Sequence, residues 1–132
     1  MGENRSKRLE GKRAIVTGGA SGFGAGIARR FAEEGARVIV ADLNGDAARA
    51  LAAELGDASL GVQVDVSSAA DVAALAEAAN RLLGGVDIVV NNAGVGHTPQ
   101  PLDELSDEAF DRIANVNMRS IYLMSKAFVP AM

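Results

Sequence analysis

RAIVTGGASGFG, Arg13 to Gly24, is the stretch on which the fold turns. RAIVT, its first five residues, is apolar and ends in a glycine cluster, the pattern of a short strand. From Gly22 to about Glu34, Ile27, Ala28 and Phe31 recur at helical spacing, and Gly35 supplies a stop. A strand therefore passes into a helix through TGGASGFG, Thr17 to Gly24. Helix N-termini carry free backbone N–H groups and a partial positive charge, so they attract phosphate. Glycines let the chain turn tightly and come close to a pyrophosphate. Gly18, Gly22 and Gly24 space as Gly-x-x-x-Gly-x-Gly rather than Gly-x-Gly-x-x-Gly. Alone, that pattern also fits a tight strand-to-helix turn that holds no ligand.

Outward from this turn the same alternation repeats. RVIVA, Arg37 to Ala41, reads as a second strand, and Asp46 to Leu55 as an alanine-rich helix closed by Gly56. VQVDV, Val62 to Val66, alternates like a third strand. Ser68 and Asp71 then give a capping-box spacing for a helix to about Leu83, stopped by Gly84 and Gly85. VDIVV, Val86 to Val90, is a fourth strand. A loop from Asn91 to Leu105 contains Pro99 and Pro101. Ser106, followed by Asp107 and Glu108, starts a last helix expected to run from about Asp107 to the end. Apolar strands alternating with helices of this length predict an α/β protein, a doubly wound parallel sheet covered on both sides.

Composition agrees. Of the 132 residues, 48% are apolar and 4% aromatic, enough for one domain with an aliphatic core. A formal net charge of −4 repels phosphate backbones, so no nucleic acid partner is expected. There is no cysteine and a single histidine, His97, which leaves no disulfide, thiolate nucleophile or histidine metal cluster to propose. No apolar run nears the roughly 20 residues that span a membrane, and a cytoplasmic protein with no membrane partner is expected. MGENRS, Met1 to Ser6, matches a short myristoylation pattern, but reads more simply as a tail. Residues 1–8 are assigned to that tail and residues 9–132 to the domain.

Asp42 ends the second strand, eighteen residues after Gly24. A carboxylate there can accept hydrogen bonds from both ribose hydroxyls of an adenosine and would repel a 2′-phosphate. No Arg or Lys lies in the glycine loop or just after Asp42 to bind such a phosphate. NAD is therefore favoured over NADP. The alternative, that Asp42 caps the next helix, is weakened because Asn44 is better placed. Asp65 either reaches the adenine amino group or is a solvated strand end.

NNAG, Asn91 to Gly94, follows the fourth strand. With TGGASGFG, the acidic Asp42 and the Asp65-Val66 pair, in that order and spacing, it resembles the short-chain dehydrogenase/reductase family, from about Leu9 to Met132. The resemblance implies a Rossmann-type sheet with strand order 3-2-1-4 and VDIVV at an edge. It implies that Gly18, Ser21, Gly22, Phe23 and Gly24 wrap a pyrophosphate, that Asp42 selects NAD, and that Asp65 and Val66 hold adenine. Asn91, Ala93 and Gly94 would steady the central strand and line the cofactor. The family usually has Ile where Phe23 stands, and only the backbone there is expected to matter. NVNMRSIYLMSKAFVPAM, Asn115 to Met132, resembles the family's next helix. Asn117 matches the catalytic asparagine, which holds a water in a proton relay, with the helix locally distorted around it. The other reading of Asn117 is a polar helix residue bonded to its own backbone.

The activity so implied is hydride transfer between a nicotinamide and a small alcohol or carbonyl. In the family it depends on a serine, a tyrosine and a lysine on later elements. YLMSK, Tyr122 to Lys126, has the tyrosine–lysine spacing of that site. Yet Tyr122 lies only about 7.5 Å along the same helix from Asn117, so the pair cannot occupy the position of the later tyrosine helix. The 132 residues are accordingly expected to be a cofactor-binding half, truncated before the catalytic serine, tyrosine and lysine and inactive alone. The terminal helix, with Ile121, Leu123, Met124, Ala127, Phe128 and Val129, is apolar around much of its girth. In the family it packs on the sheet and on a partner subunit, which implies a homo-oligomer, a dimer or tetramer. A dinucleotide-binding module without catalysis is the alternative. A methyltransferase, with its own glycine-rich first loop, is disfavoured by NNAG and the Asn117 segment.

Overall fold

A computed structural model describes residues 7–132. Four parallel strands form one sheet in the order β3-β2-β1-β4: β1 (Arg13–Thr17), β2 (Arg37–Asp42), β3 (Leu60–Gln63) and β4 (Ile88–Val90). Helices α1 (Gly22–Glu33), α2 (Gly45–Leu55) and α3 (Ala69–Leu83) make the crossovers, and α4 (Asp107–Ala114) and α5 (Ser120–Phe128) follow β4. The doubly wound α/β sheet expected from the sequence is the fold observed.

Two-sided burial follows from the strand residues. Successive side chains of a strand point to opposite faces. Ile15 and Ile39 therefore join Leu75, Met124 and Phe128 in a core beneath α3 and α5. Val16, Val38 and Val40 join Ala28, Ala48 and Leu51 in a second core beneath α1 and α2. Ala14, Ile15, Val16, Val38, Ile39 and Val40 are completely buried. The central strands are thus apolar on both faces along their middles, Ala14–Val16 and Val38–Ala41, while the edge strands β3 and β4 are only half-buried.

Three element boundaries differ from the sequence reading. The third strand starts two residues earlier and ends three residues earlier than Val62–Val66, at Leu60–Gln63, where it pairs in register from Ile39↔Leu60 to Asp42↔Gln63. β2 ends at Asp42, so the ladder closes with the Val64 N–H donating to the Asp42 carbonyl at 2.9 Å and goes no further. Val64 and Val66 still point into the core, which is why their alternation mimics a strand. The fourth strand is Ile88–Val90 rather than Val86–Val90. Asp87 is held instead by bonding Arg13 through both its backbone and its side chain. The last helix is not uniform: a π-helical stretch over Asn115–Arg119 separates α4 from α5, and a 3₁₀ turn at Val129–Ala131 follows. Residues 7 and 8, assigned to the tail, belong to a turn ahead of β1 that docks on the C-terminal end of α1, where the Arg8 N–H donates to the Glu34 carboxylate at 3.0 Å. Residues 1–6, with the lipidation pattern, lie outside the described residues.

Candidate functional site

The C-terminal ends of the parallel strands open into a cleft of about 620 Å³. Gly18, Ser21 and Phe23 reach it from the first turn, and Asp42 and Leu43 from the end of β2. Asp65, Val66 and Ser67 come from the loop after β3, and Asn92, Ala93, Gly94 and Val95 from the loop after β4. Arg112 and Val116 face it from α4 and the π stretch.

The first turn is closely packed. A Cβ on Gly24 would overlap the Gly18 carbonyl oxygen and crowd the Asn92 amide, so only glycine lets α1 start this near the β4 loop. Gly22 opens the helix at a φ of 55°. Ser21 precedes it in extended conformation and makes no side-chain cap bond. In contrast, Asn44, Ser68 and Ser106 each accept from the third residue of their helices, Ala47, Asp71 and Ala109. The N–H groups of the first turn of α1 are thus not capped by its own N-cap side chain, and that turn borders the cleft.

The carboxylates are fixed by backbone donors. Asp42 accepts from Ala20 N at 3.0 Å and, through its other oxygen, from Asn44 N at 2.9 Å. Each oxygen keeps a further lone pair for a ligand. Asp65 accepts from Ser67 N and Ser67 Oγ at 2.9 and 2.6 Å, while its own N–H donates to Asp71 at 2.9 Å. The loop after β3 is thereby tied to the start of α3.

Asn91 and Asn92 diverge. Asn92 N and Ala93 N donate to Thr17 Oγ1, both at 3.1 Å, and the Asn92 side chain donates to the Gly18 carbonyl at 3.1 Å. Asn91 faces away from the cleft, into a groove with Val89, Met124 and Phe128. Asn117 does not line the cleft. Its side chain accepts from Val95 N and donates to Val95 O, both at 2.8 Å, so it clamps the loop beyond NNAG rather than bonding its own helix.

A sequence model described as short chain dehydrogenase matches residues 12–132. The chain belongs to the short chain dehydrogenase family. Among curated relatives, it is 49% identical over 120 residues to 4-formylbenzenesulfonate dehydrogenase TsaC1/TsaC2 of Comamonas testosteroni, covering 89% of this chain and 48% of that protein. It is 46% identical to D-threitol dehydrogenase of Mycolicibacterium smegmatis, covering 91% and 47% of the two chains. A solved 3-ketoacyl-(acyl-carrier-protein) reductase from Brucella melitensis, complexed with NADH, superposes with a TM-score of 0.91 at 50% identity, covering 93% of this chain and 51% of that one. The chain spans about half the length of the curated relatives it matches.

Within this member of the family, Tyr122 and Lys126 do not line the cleft. Tyr122 is exposed, and Lys126 Nζ sits 5.9 Å from its ring centroid, a surface cation–π contact. Sequence reasoning missed Thr17, Leu43, Ser67, Asn92, Val95, Arg112 and Val116. For Thr17 a signal existed: a hydroxyl closing an otherwise apolar buried strand needs partners nearby. Among the described residues no cluster of three metal-ligating side chains occurs, and no helix is long and apolar enough to cross a membrane.

Proposed function

We propose that the cleft binds NAD and that the protein is an NAD-dependent oxidoreductase acting on a small alcohol or carbonyl. The observation that carries this reading is the first turn of α1, left without a side-chain cap beside the Asp42 carboxylate. Backbone of Gly18, Ser21, Gly22, Phe23 and Gly24 would hold the pyrophosphate, where helix N–H groups suit an anion. Asp42 would accept from the adenosine ribose, and Asp65 and Val66 would border the adenine. Ala93 and Gly94 would line the path toward the nicotinamide. Asn91 and Asn117 would support the site from behind, Asn117 by its grip on Val95. When bound, a nicotinamide dinucleotide supplies the hydride acceptor or donor. The reading includes a cytoplasmic setting and a homo-oligomer.

Asp42 makes the cofactor choice testable. A 2′-phosphate would meet its carboxylate, whereas two ribose hydroxyls would donate to it. We expect the protein to bind NADH at least about tenfold more tightly than NADPH, the scale of one charge-assisted hydrogen bond. Asp42→Ala should close most of that gap in a fluorescence titration. Equal affinities before mutation would sink the assignment of Asp42. Among the described residues no tyrosine or lysine lines the cleft, which favours, as a second reading, a dinucleotide-binding module without catalysis. Alcohol-dependent reduction of NAD by the protein separates the two.

A further inference from the structure

One cation in the cleft has no part in the reading above. Arg112 lines the wall with Val116, Asp65 and Val66. It stands on α4, four residues before Val116, with its side chain exposed. Among the described residues it makes no ion pair and no side-chain hydrogen bond, unlike Arg13, Arg29, Arg30 and Arg49. The two carboxylates of the cleft are bonded to backbone and to Ser67, not to Arg112. A planar guanidinium without an anion therefore borders the apolar wall of Val66 and Val116.

Guanidinium is weakly hydrated and stacks on aromatic faces more readily than an ammonium does. We propose that Arg112 stacks on the adenine base of the bound dinucleotide and closes that end of the cleft as a specificity-determining residue. This rests on the NAD-binding reading. A planar cation beside the apolar side chains of Val66 and Val116 suits a neutral, electron-rich heterocycle. A 2′-phosphate would need the same cation, but would have to lie beside Asp42, whose carboxylate repels it.

Half-molecules of the cofactor provide the test. Binding of AMP, ADP-ribose, NADH, NADPH and reduced nicotinamide mononucleotide is measured by calorimetry on the protein, on Arg112→Ala and on Arg112→Lys. Arg112→Ala should weaken the four adenine-containing ligands alike, by about five- to tenfold, and leave the mononucleotide unchanged. Arg112→Lys should recover only part of the loss, because an ammonium keeps the charge and lacks the planar face. A loss confined to NADPH would make Arg112 a phosphate contact and overturn the proposal. So would a loss shared by the mononucleotide, or unchanged affinities throughout. If the unmutated protein binds none of the five, the NAD reading itself fails, and the Arg112 proposal with it.

Discussion

Arg13 and Asp87 form a two-pronged ion pair at the end of the sheet where β1 begins. Asp87 accepts from Arg13 N at 2.9 Å, Nε at 3.0 Å and Nη2 at 3.2 Å. Hydrogen bonds from the Arg13 side chain and backbone lower the Asp87 pKa to about 2. A carboxylate whose pKa falls on folding adds stability that is present above its unfolded pKa and is lost as pH drops through the folded one. The gain is therefore complete above about pH 4 and fades toward pH 2. Asp87→Asn should lower Tm at pH 7, and the difference from the unmutated protein should shrink to a small fraction in melts at pH 2. A constant difference across that range would contradict the pairing. At the same scale, Thr17 bonds three backbone groups: its hydroxyl donates to Val90 O at 3.3 Å and accepts from Asn92 N and Ala93 N. NNAG was legible as a motif, but the chain turns between its two asparagines, where Asn92 N donates to Val90 O at 3.1 Å, and the two side chains part: Asn92 lines the cleft and Asn91 a separate groove. Sequence alone could not say which one enters the cleft. Asp42 was easier, because the end of a strand beside a glycine turn fixes where its side chain goes.

The π stretch shows how one element serves the loop beside it. Inserting a residue into a helix turns the following side chains, and such turns cluster at functional sites. Here Asn117 meets Val95 with two hydrogen bonds of 2.8 Å across 22 residues. Asn117→Ala would leave both Val95 groups without those partners and should cost about 1–3 kcal/mol. Hydrogen exchange should quicken in the loop after β4 while β1 and β2 keep their protection. Unchanged exchange in that loop would show that the clamp does not hold it. A uniform helix was the natural reading of this stretch, since a π turn leaves no mark in apolar spacing; only the resemblance of the Asn117 segment suggested a distortion. The start of α3 was legible in part. Ser68 caps Asp71 N as the spacing implies, but the Asp71 carboxylate accepts from Asp65 N rather than from Ser68 N, whose N–H already donates to the Asp65 carbonyl at 3.0 Å. Strand ends were the least legible, for they depend on where the neighbouring strand stops.

Across the whole molecule, α4, the π stretch and α5 leave an apolar band uncovered. Phe110, Met118, Ile121 and Tyr122 are 58%, 73%, 46% and 58% exposed. Apolar surface on this scale commonly marks a contact between chains. Sedimentation should find a dimer or larger assembly, and the double change Met118→Glu with Ile121→Glu should shift it toward monomer without altering NADH affinity. A monomer before mutation would argue against the homo-oligomer. At this scale the alternation of strands and helices made a doubly wound parallel sheet legible, because short right-handed crossovers leave few arrangements, and the order β3-β2-β1-β4 was legible through the family resemblance. Cleft walls were not, since Leu43, Arg112 and Val116 meet only after distant elements pack. The same order has a consequence during synthesis. β1 lies between β2 and β4, and its second neighbour begins 75 residues after β1 itself begins. On a ribosome adding about 5–20 residues per second, the span from Gln63 to Val90 takes roughly one to five seconds. Through that interval the nascent sheet has strand 1 as an open edge, with Ile15 and Val16 only partly covered. The emerging chain thus passes through a stage that a holdase chaperone is suited to shield.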